Sequence, residues 1–199
     1  MKLVVATDIF GITAELVDWL GPIVEACQLE LELVSPYPEH LVSTKIAPFE
    51  NNVHPTDEHA YQSFLTHGGL ELYTQKVLRC VESQQQAFFA LGFSAGAAAI
   101  WQVSAASSSF IKQAVCFYGG QIRFSCDLPP QAPTTLIWAE ESHFDVEALH
   151  QKLRQYPTVN SMLTNYPHGF INPHSAGFQQ EAANHYQSLL IKMLMLGSE

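Results

Sequence analysis

Basic residues are scarce: nine Lys and Arg stand against 19 Asp and Glu, for a net charge of −10. A surface so short of cations suits neither a phosphate backbone nor an anionic bilayer, so no nucleic acid and no membrane is expected as a partner. Charged residues of all kinds make up only 14% of the chain and apolar ones 47%, yet no apolar run is long enough to cross a bilayer. The first residues, Met1-Lys2-Leu3-Val4-Val5-Ala6-Thr7-Asp8, meet an acid too early for the apolar part of a signal peptide, which points to a cytoplasmic protein. Cysteines are few, and Cys27, Cys80, Cys116 and Cys126 contain no C-x-x-C pair. Most fall in apolar segments, so buried reduced thiols are expected rather than a disulfide framework or a zinc site. His54-Pro55-Thr56-Asp57-Glu58-His59 is not H-E-x-x-H, so zinc-protease spacing is missing too. Gly68-Gly69 and Gly119-Gly120 fit neither the dinucleotide nor the P-loop frame. No internal repeat or low-complexity segment interrupts the 199 residues, which are expected to form one domain, 1–199, with a substantial core.

What the chain does have is an apolar run of strand length, Ala87-Phe88-Phe89-Ala90-Leu91, ending in Gly92-Phe93-Ser94-Ala95-Gly96 and followed by an alanine-rich run of helix formers. Strand, tight turn and helix with a serine at the apex is the context that the G-x-S-x-G turn requires. The backbone there is strained, and a Cβ two places from the serine would collide with a neighbouring strand or the helix start. Ser94 is thus a candidate nucleophile, and the Ala95 amide points where a substrate oxygen would sit.

Around this turn the pattern alternates strand and helix. Lys2 to Thr7 reads as a buried strand, Asp8-Ile9-Phe10-Gly11 as a turn, and Ala14 to Cys27 as a helix capped by Thr13 and bent or split by Gly21-Pro22. Leu29 to Val34 is a second strand, and Glu39 to Asn52 a surface excursion. Helical pattern starts near Pro55-Thr56-Asp57-Glu58, breaks at His67-Gly68-Gly69 and resumes from Leu70 to Ser83. After the elbow strand comes a helix from Ala95 to about Ala105 and a serine linker, Ser107-Ser108-Ser109. Strands follow at Gln113 to Tyr118, Thr134 to Trp138 and Val159 to Leu163, with helices at Val146 to Gln155 and Ala176 to Leu196. Near-continuously apolar strands in this order imply an α/β fold: a mainly parallel sheet with helices on both faces and sites beyond the carboxyl ends of the strands.

A serine hydroxyl needs a base to take its proton. His168, in Tyr166-Pro167-His168-Gly169-Phe170, lies just past the strand Val159 to Leu163 and before the last helix, the place a hydrolase histidine takes in chain order. His174 is the fallback. A second oxyanion donor should come from the loop after an earlier strand, where the amide of Ile9 or Phe10 could join that of Ala95. The alternative there is a plain turn, with Asp8 capping a backbone amide. The acid should follow the strand Thr134 to Trp138, where Glu140, Glu141 and Asp145 are all available; Asp145 could equally cap the helix at Val146.

Together, the elbow Gly92-Phe93-Ser94-Ala95-Gly96, the loop Asp8-Ile9-Phe10-Gly11, the strand end Phe117-Tyr118-Gly119 and the late His168-Gly169-Phe170 resemble the dienelactone hydrolase family of α/β-hydrolases. The resemblance covers nearly the whole chain from the family's third strand onward and implies an α/β-hydrolase fold lacking the first strands of the full fold. It implies hydrolysis of lactones or carboxylic esters through an acyl-enzyme, a small-molecule substrate, and no metal or organic cofactor. It assigns Ser94 as nucleophile, His168 as base, and the Ile9 and Ala95 amides as oxyanion donors. Family nucleophiles of the namesake enzymes are cysteines beside a glutamate of the Ile-Phe-Gly loop. Here those positions hold Ser94 and Asp8, which favours a general serine esterase.

Family members also place an aspartate just before His-Phe, where this chain has Ser142-His143-Phe144. Glu141 would serve as the acid if the loop shifts by one residue, ahead of Glu140 and Asp145. Were no carboxylate to reach His168, about four orders of magnitude in turnover would be lost. The rival to an enzyme is therefore a weakly active or non-catalytic binding or regulatory protein on a hydrolase scaffold. Phe10, Phe93 and Tyr118, together with Phe170, are candidates for the walls of an apolar substrate pocket. Arg123 is a candidate partner for a substrate carboxylate, since family members use arginine for anionic lactones.

Overall fold

The structure, a computed structural model, describes residues 1–38, 56–106 and 110–197. The excursion expected over 39–52, the residues His54 and Pro55, and the serine linker 107–109 lie outside the described residues. Six strands form one sheet: β1 (Lys2–Ala6), β2 (Glu30–Val34), β3 (Phe88–Phe93), β4 (Ile111–Phe117), β5 (Thr134–Glu140) and β6 (Val159–Pro167). Their order is β2-β1-β3-β4-β5-β6, with every neighbouring pair parallel. The helices are α1 (Ala14–Cys27), α2 (Asp57–Thr66), α3 (Gly69–Ser83), α4 (Ala95–Ala106), α5 (Val146–Leu153) and α6 (Gln180–Leu196).

Strand residues alternate between two cores because successive side chains point to opposite faces. Leu3, Val5, Phe89, Leu91 and Phe93 join Leu20 and Ile23 of α1 and Tyr186, Leu190 and Leu194 of α6. Val4, Ala6, Phe88 and Ala90 join Tyr73, Val77 and Val81 of α3, Trp101 and Val103 of α4, and Leu149 and Leu153 of α5. Both faces are thus covered, which is why these strands read as nearly unbroken apolar runs. Strand order reverses at β1, whose neighbours are β2 on one side and β3 on the other. A crevice opens at such a reversal beyond the carboxyl ends, between the loop that leaves β1 and the turn that leaves β3.

Element edges differ from the sequence pattern in a few places, each with a local reason. Helix α1 runs unbroken through Gly21-Pro22. Both residues are exposed, as is Asp18, whose carbonyl Pro22 leaves without an N–H partner. β6 extends to Pro167 and α6 starts only at Gln180, after the turns of residues 168–177. The stop at Gly119 gives way to a 3-10 turn over Gly120–Phe124 that the apolar pattern did not predict. Thr13, Thr56 and Asp145 each cap a helix through a side-chain oxygen.

Candidate active site

The turn between β3 and α4 is as tight as its glycines suggest. A Cβ on Gly92 would lie 2.6 Å from Ala97 Cα, and one on Gly96 would lie 2.2 Å from the Ala6 carbonyl oxygen. Small residues therefore let α4 sit directly on β3 and β1. Ser94 takes the left-handed conformation, φ +50°, and its N–H donates to the Phe117 carbonyl at 3.0 Å. Such a conformation costs a non-glycine residue about 1–3 kcal/mol and persists because the surrounding structure enforces it. Between Phe88 and Trp101, Ser94 alone is not buried. Ala95 opens α4, and neither its N–H nor that of Ile9 makes a hydrogen bond within the described residues. Tyr118, at the end of β4, is likewise left-handed at φ +40°.

The loop after β1 is fixed by its own acid and by two neighbouring side chains. Asp8 Oδ1 accepts from Phe10 N–H at 2.9 Å, Asp8 Oδ2 accepts from Asn172 Nδ2 at 2.6 Å, and Gly11 N–H donates to the Asp8 carbonyl at 3.1 Å. The Tyr37 hydroxyl donates to the Ile9 carbonyl. Asp8 thus does cap a backbone amide, that of Phe10. The same turn leaves Ile9 N–H as the amide open to the crevice. Burial pushes the Asp8 carboxyl above its ordinary range, opposed by the hydrogen bonds from Asn172 and Phe10.

His168 follows β6 and places its ring between Ser94 and the loop after β5. Ser94 Oγ and His168 Nε2 are 2.9 Å apart, and His168 Nδ1 donates to Glu141 Oε1 at 2.6 Å. The Glu141 side chain is 6% exposed and that of His168 40%, so the carboxylate is sheltered while the imidazole keeps a face to the crevice. His143 Nδ1 lies 3.5 Å from the other Glu141 oxygen. The remaining acid candidates go elsewhere: Glu140 is exposed at the end of β5, and Asp145 Oδ1 accepts from Ala148 N–H at 2.9 Å as the cap of α5. His174 pairs with Glu15 at 2.9 Å and does not join Ser94. That contact draws the Glu15 carboxyl below its ordinary range.

A cleft of about 420 Å³ opens over these groups, a size suited to a small molecule. Ile9, Ser94, Ala95 and His168 form its floor. Its walls are only partly those expected from the sequence. Asp57, Glu58, Tyr61 and Phe64 of α2 close one side, and Gly120, Gln121 and Arg123 of the 3-10 turn close the other, beside Glu141 and His143. Phe10, Phe93 and Tyr118 do not line it. Phe93 and Tyr118 are buried at 2% and 1% exposure, and with Phe117, Phe170 and Tyr186 they form an aromatic stack between sheet and α6. Phe93 and Tyr118 border a separate space of about 20 Å³ next to Asp8 and Asn172. Phe10 faces His174, ring centroids 6.0 Å apart. The sequence signal for α2 was its acidic first turn, but nothing in the pattern said that this turn overhangs the serine.

Among the described residues no three His, Cys, Asp or Glu side chains gather as metal ligands. All four cysteines are free, and burial pushes the thiols of Cys80 and Cys116 up to about 12, so neither is a thiolate at neutral pH. No helix among the described residues is long and apolar enough to cross a membrane.

Solved structures share the fold. A dienelactone hydrolase-like promiscuous phosphotriesterase from metagenomic libraries matches with a TM-score of 0.65 at 13% identity, over 97% of this chain and 84% of that one. An alpha/beta-superfamily protein from Xanthomonas campestris pv. campestris gives 0.61 at 14% identity, over 97% of both chains. The esterase PE8 gives 0.57 at 15% identity, over 96% of this chain and 92% of its own. No curated protein sequence matches closely enough to count as a relative. Residues 47–195, most of the chain and the part that carries the serine, the glutamate and the histidine, match the dienelactone hydrolase family, and the protein belongs to that family of α/β-hydrolases.

Proposed function

We propose that this protein is a serine hydrolase that cleaves a small carboxylic ester or lactone through an acyl-enzyme on Ser94. The observation that carries the reading is the unbroken chain of hydrogen bonds from Ser94 Oγ through His168 to Glu141, at 2.9 and 2.6 Å. As Ser94 Oγ attacks the carbonyl carbon, His168 Nε2 takes its proton, and the Glu141 carboxylate holds the imidazole in the required tautomer and stabilises the imidazolium. The carbonyl oxygen becomes an oxyanion that accepts from the N–H groups of Ile9 and Ala95, with the amino-terminal end of α4 adding its dipole. Collapse breaks the ester C–O bond, and the His168 proton passes to the departing alkoxide. Water, deprotonated by the same imidazole, then attacks the acyl-enzyme and returns Ser94 to its hydroxyl form.

The rival reading of a scaffold without catalysis drew its force from a missing acid. Glu141 supplies a carboxylate to His168, which favours the enzyme. Hydrolysis of p-nitrophenyl acetate is the direct test. The wild type should turn over, while Ser94→Ala and His168→Ala should fall toward the uncatalysed rate with their thermal unfolding unchanged. Equal rates for the wild type and Ser94→Ala would remove the proposal.

A further inference from the structure

Arg123 stands where the 3-10 turn meets the loop that carries Glu141. A Cβ built on Gly120 would lie 3.3 Å from Phe144 Cε1, 3.5 Å from Arg123 Nη1 and 3.5 Å from Glu141 Oε1, so three side chains crowd one point beside the acid. Arg123 Nη1 donates to the Gly120 carbonyl at 2.6 Å. Its guanidinium carbon sits 4.2 Å from the Phe124 ring centroid and 4.7 Å from that of Phe144. It forms no direct ion pair among the described residues.

The acid loop needs such a tie. Ser142, His143 and Asp145 are exposed, whereas Phe144 is half-buried, with one side against the core that α3, α4 and α5 share and Arg123 over its ring. We infer that Arg123 is a positioning residue. It clamps Phe144, and with it the loop that carries Glu141, onto the 3-10 turn, so that the Glu141 carboxylate meets His168; it does not serve as a receptor for a substrate anion. The inference rests on the proposed Ser94 chemistry and adds a residue that acts through Glu141.

Three variants test it: Arg123→Met, which keeps the length and removes charge and fork; Arg123→Lys; and Phe144→Leu. Each is assayed on a neutral ester, p-nitrophenyl acetate, and an anionic one, the p-nitrophenyl hemiester of succinic acid. Arg123→Met should lower kcat about 10–100-fold on both esters with KM little changed, as a slightly misplaced catalytic group does. Arg123→Lys should recover part of the loss. The combined Arg123→Met/Phe144→Leu variant should lose less than the product of the two single losses, because both act on one loop.

A second readout needs no turnover. The far-downfield proton NMR signal of the His168–Glu141 hydrogen bond should be present in the wild type and Arg123→Lys, and broadened or lost in Arg123→Met and Phe144→Leu. A raised KM confined to the anionic ester, or an unchanged NMR signal in Arg123→Met, would overturn the inference. Absence of any Ser94-dependent hydrolysis would count against the proposed function instead, leaving the NMR comparison to decide the clamp.

Discussion

Glu141 Oε1 accepts the hydrogen bond from His168 Nδ1 at 2.6 Å, one residue before Ser142, the position at which the family resemblance leads one to expect the acid. Ser142, which occupies that place, is exposed. β5 runs to Glu140, and the side chain of the next residue, Glu141, is the one that reaches the histidine following β6.

Glu141→Gln should therefore lower kcat by about four orders of magnitude while keeping the fold, since the amide can no longer stabilise the imidazolium or enforce its tautomer. Glu140→Gln should stay within a few-fold of the wild type. Asp145→Ala should leave turnover nearly intact and cost about 1 kcal/mol of stability through the lost cap of α5. Steady-state kinetics with urea unfolding separate the three. Similar activity losses in all of them would contradict the assignment.

Two glycines should respond in opposite directions. Gly96→Ala would place a methyl 2.2 Å from the Ala6 carbonyl oxygen, backbone that cannot yield without parting α4 from β1. It should cost about 3 kcal/mol and disturb Ser94 with it. Gly21, exposed within α1, has nothing within 4 Å of the same position, so Gly21→Ala should stabilise by about 0.5–1 kcal/mol. Denaturant midpoints of the pair are the check.

Asp8 gives a pH signature. Burial raises its folded-state pKa above the ordinary 3.8, so over that window the folded protein binds more protons than the unfolded chain. Stability from this group falls as pH rises from 3.8 through the raised folded value. Asp8→Asn does not titrate. The amide's mismatch with Asn172 adds an offset, but that offset is independent of pH. Urea unfolding of both proteins at pH 4 and pH 7 should show the difference moving toward the variant at the higher pH. A gap that stays constant would contradict the assigned burial cost.

Much of this was legible in the chain because local chemistry fixes it. The elbow glycines report close backbone approach, and the apolar run before them reports a strand covered on both faces. Thr13 caps α1 and the helix ends at Cys27, where the pattern put it. His168 follows from its place after the last strand. Other features depend on distance rather than pattern. The choice among Glu140, Glu141 and Asp145 turns on a one-residue difference in strand end, which periodicity does not resolve. Phe93 carries no sign of which side of the sheet it faces, and alternation along β3 sends it to the α6 core; Tyr118 and Phe170, beyond the ends of β4 and β6, pack there with it instead of in the cleft. The first turn of α2 meets Ser94 only in three dimensions, with the rest of α2, α3 and β3 between them in the chain.

The account depends most on covalent reactivity at Ser94. Intact-protein and peptide mass spectrometry after treatment with a fluorophosphonate measures it without assuming a substrate. The prediction is one adduct on the peptide containing Ser94, absent from Ser94→Ala, strongly slowed in His168→Ala and slowed in Glu141→Gln. An unlabelled wild type, or an adduct on another residue that persists in Ser94→Ala, would contradict it.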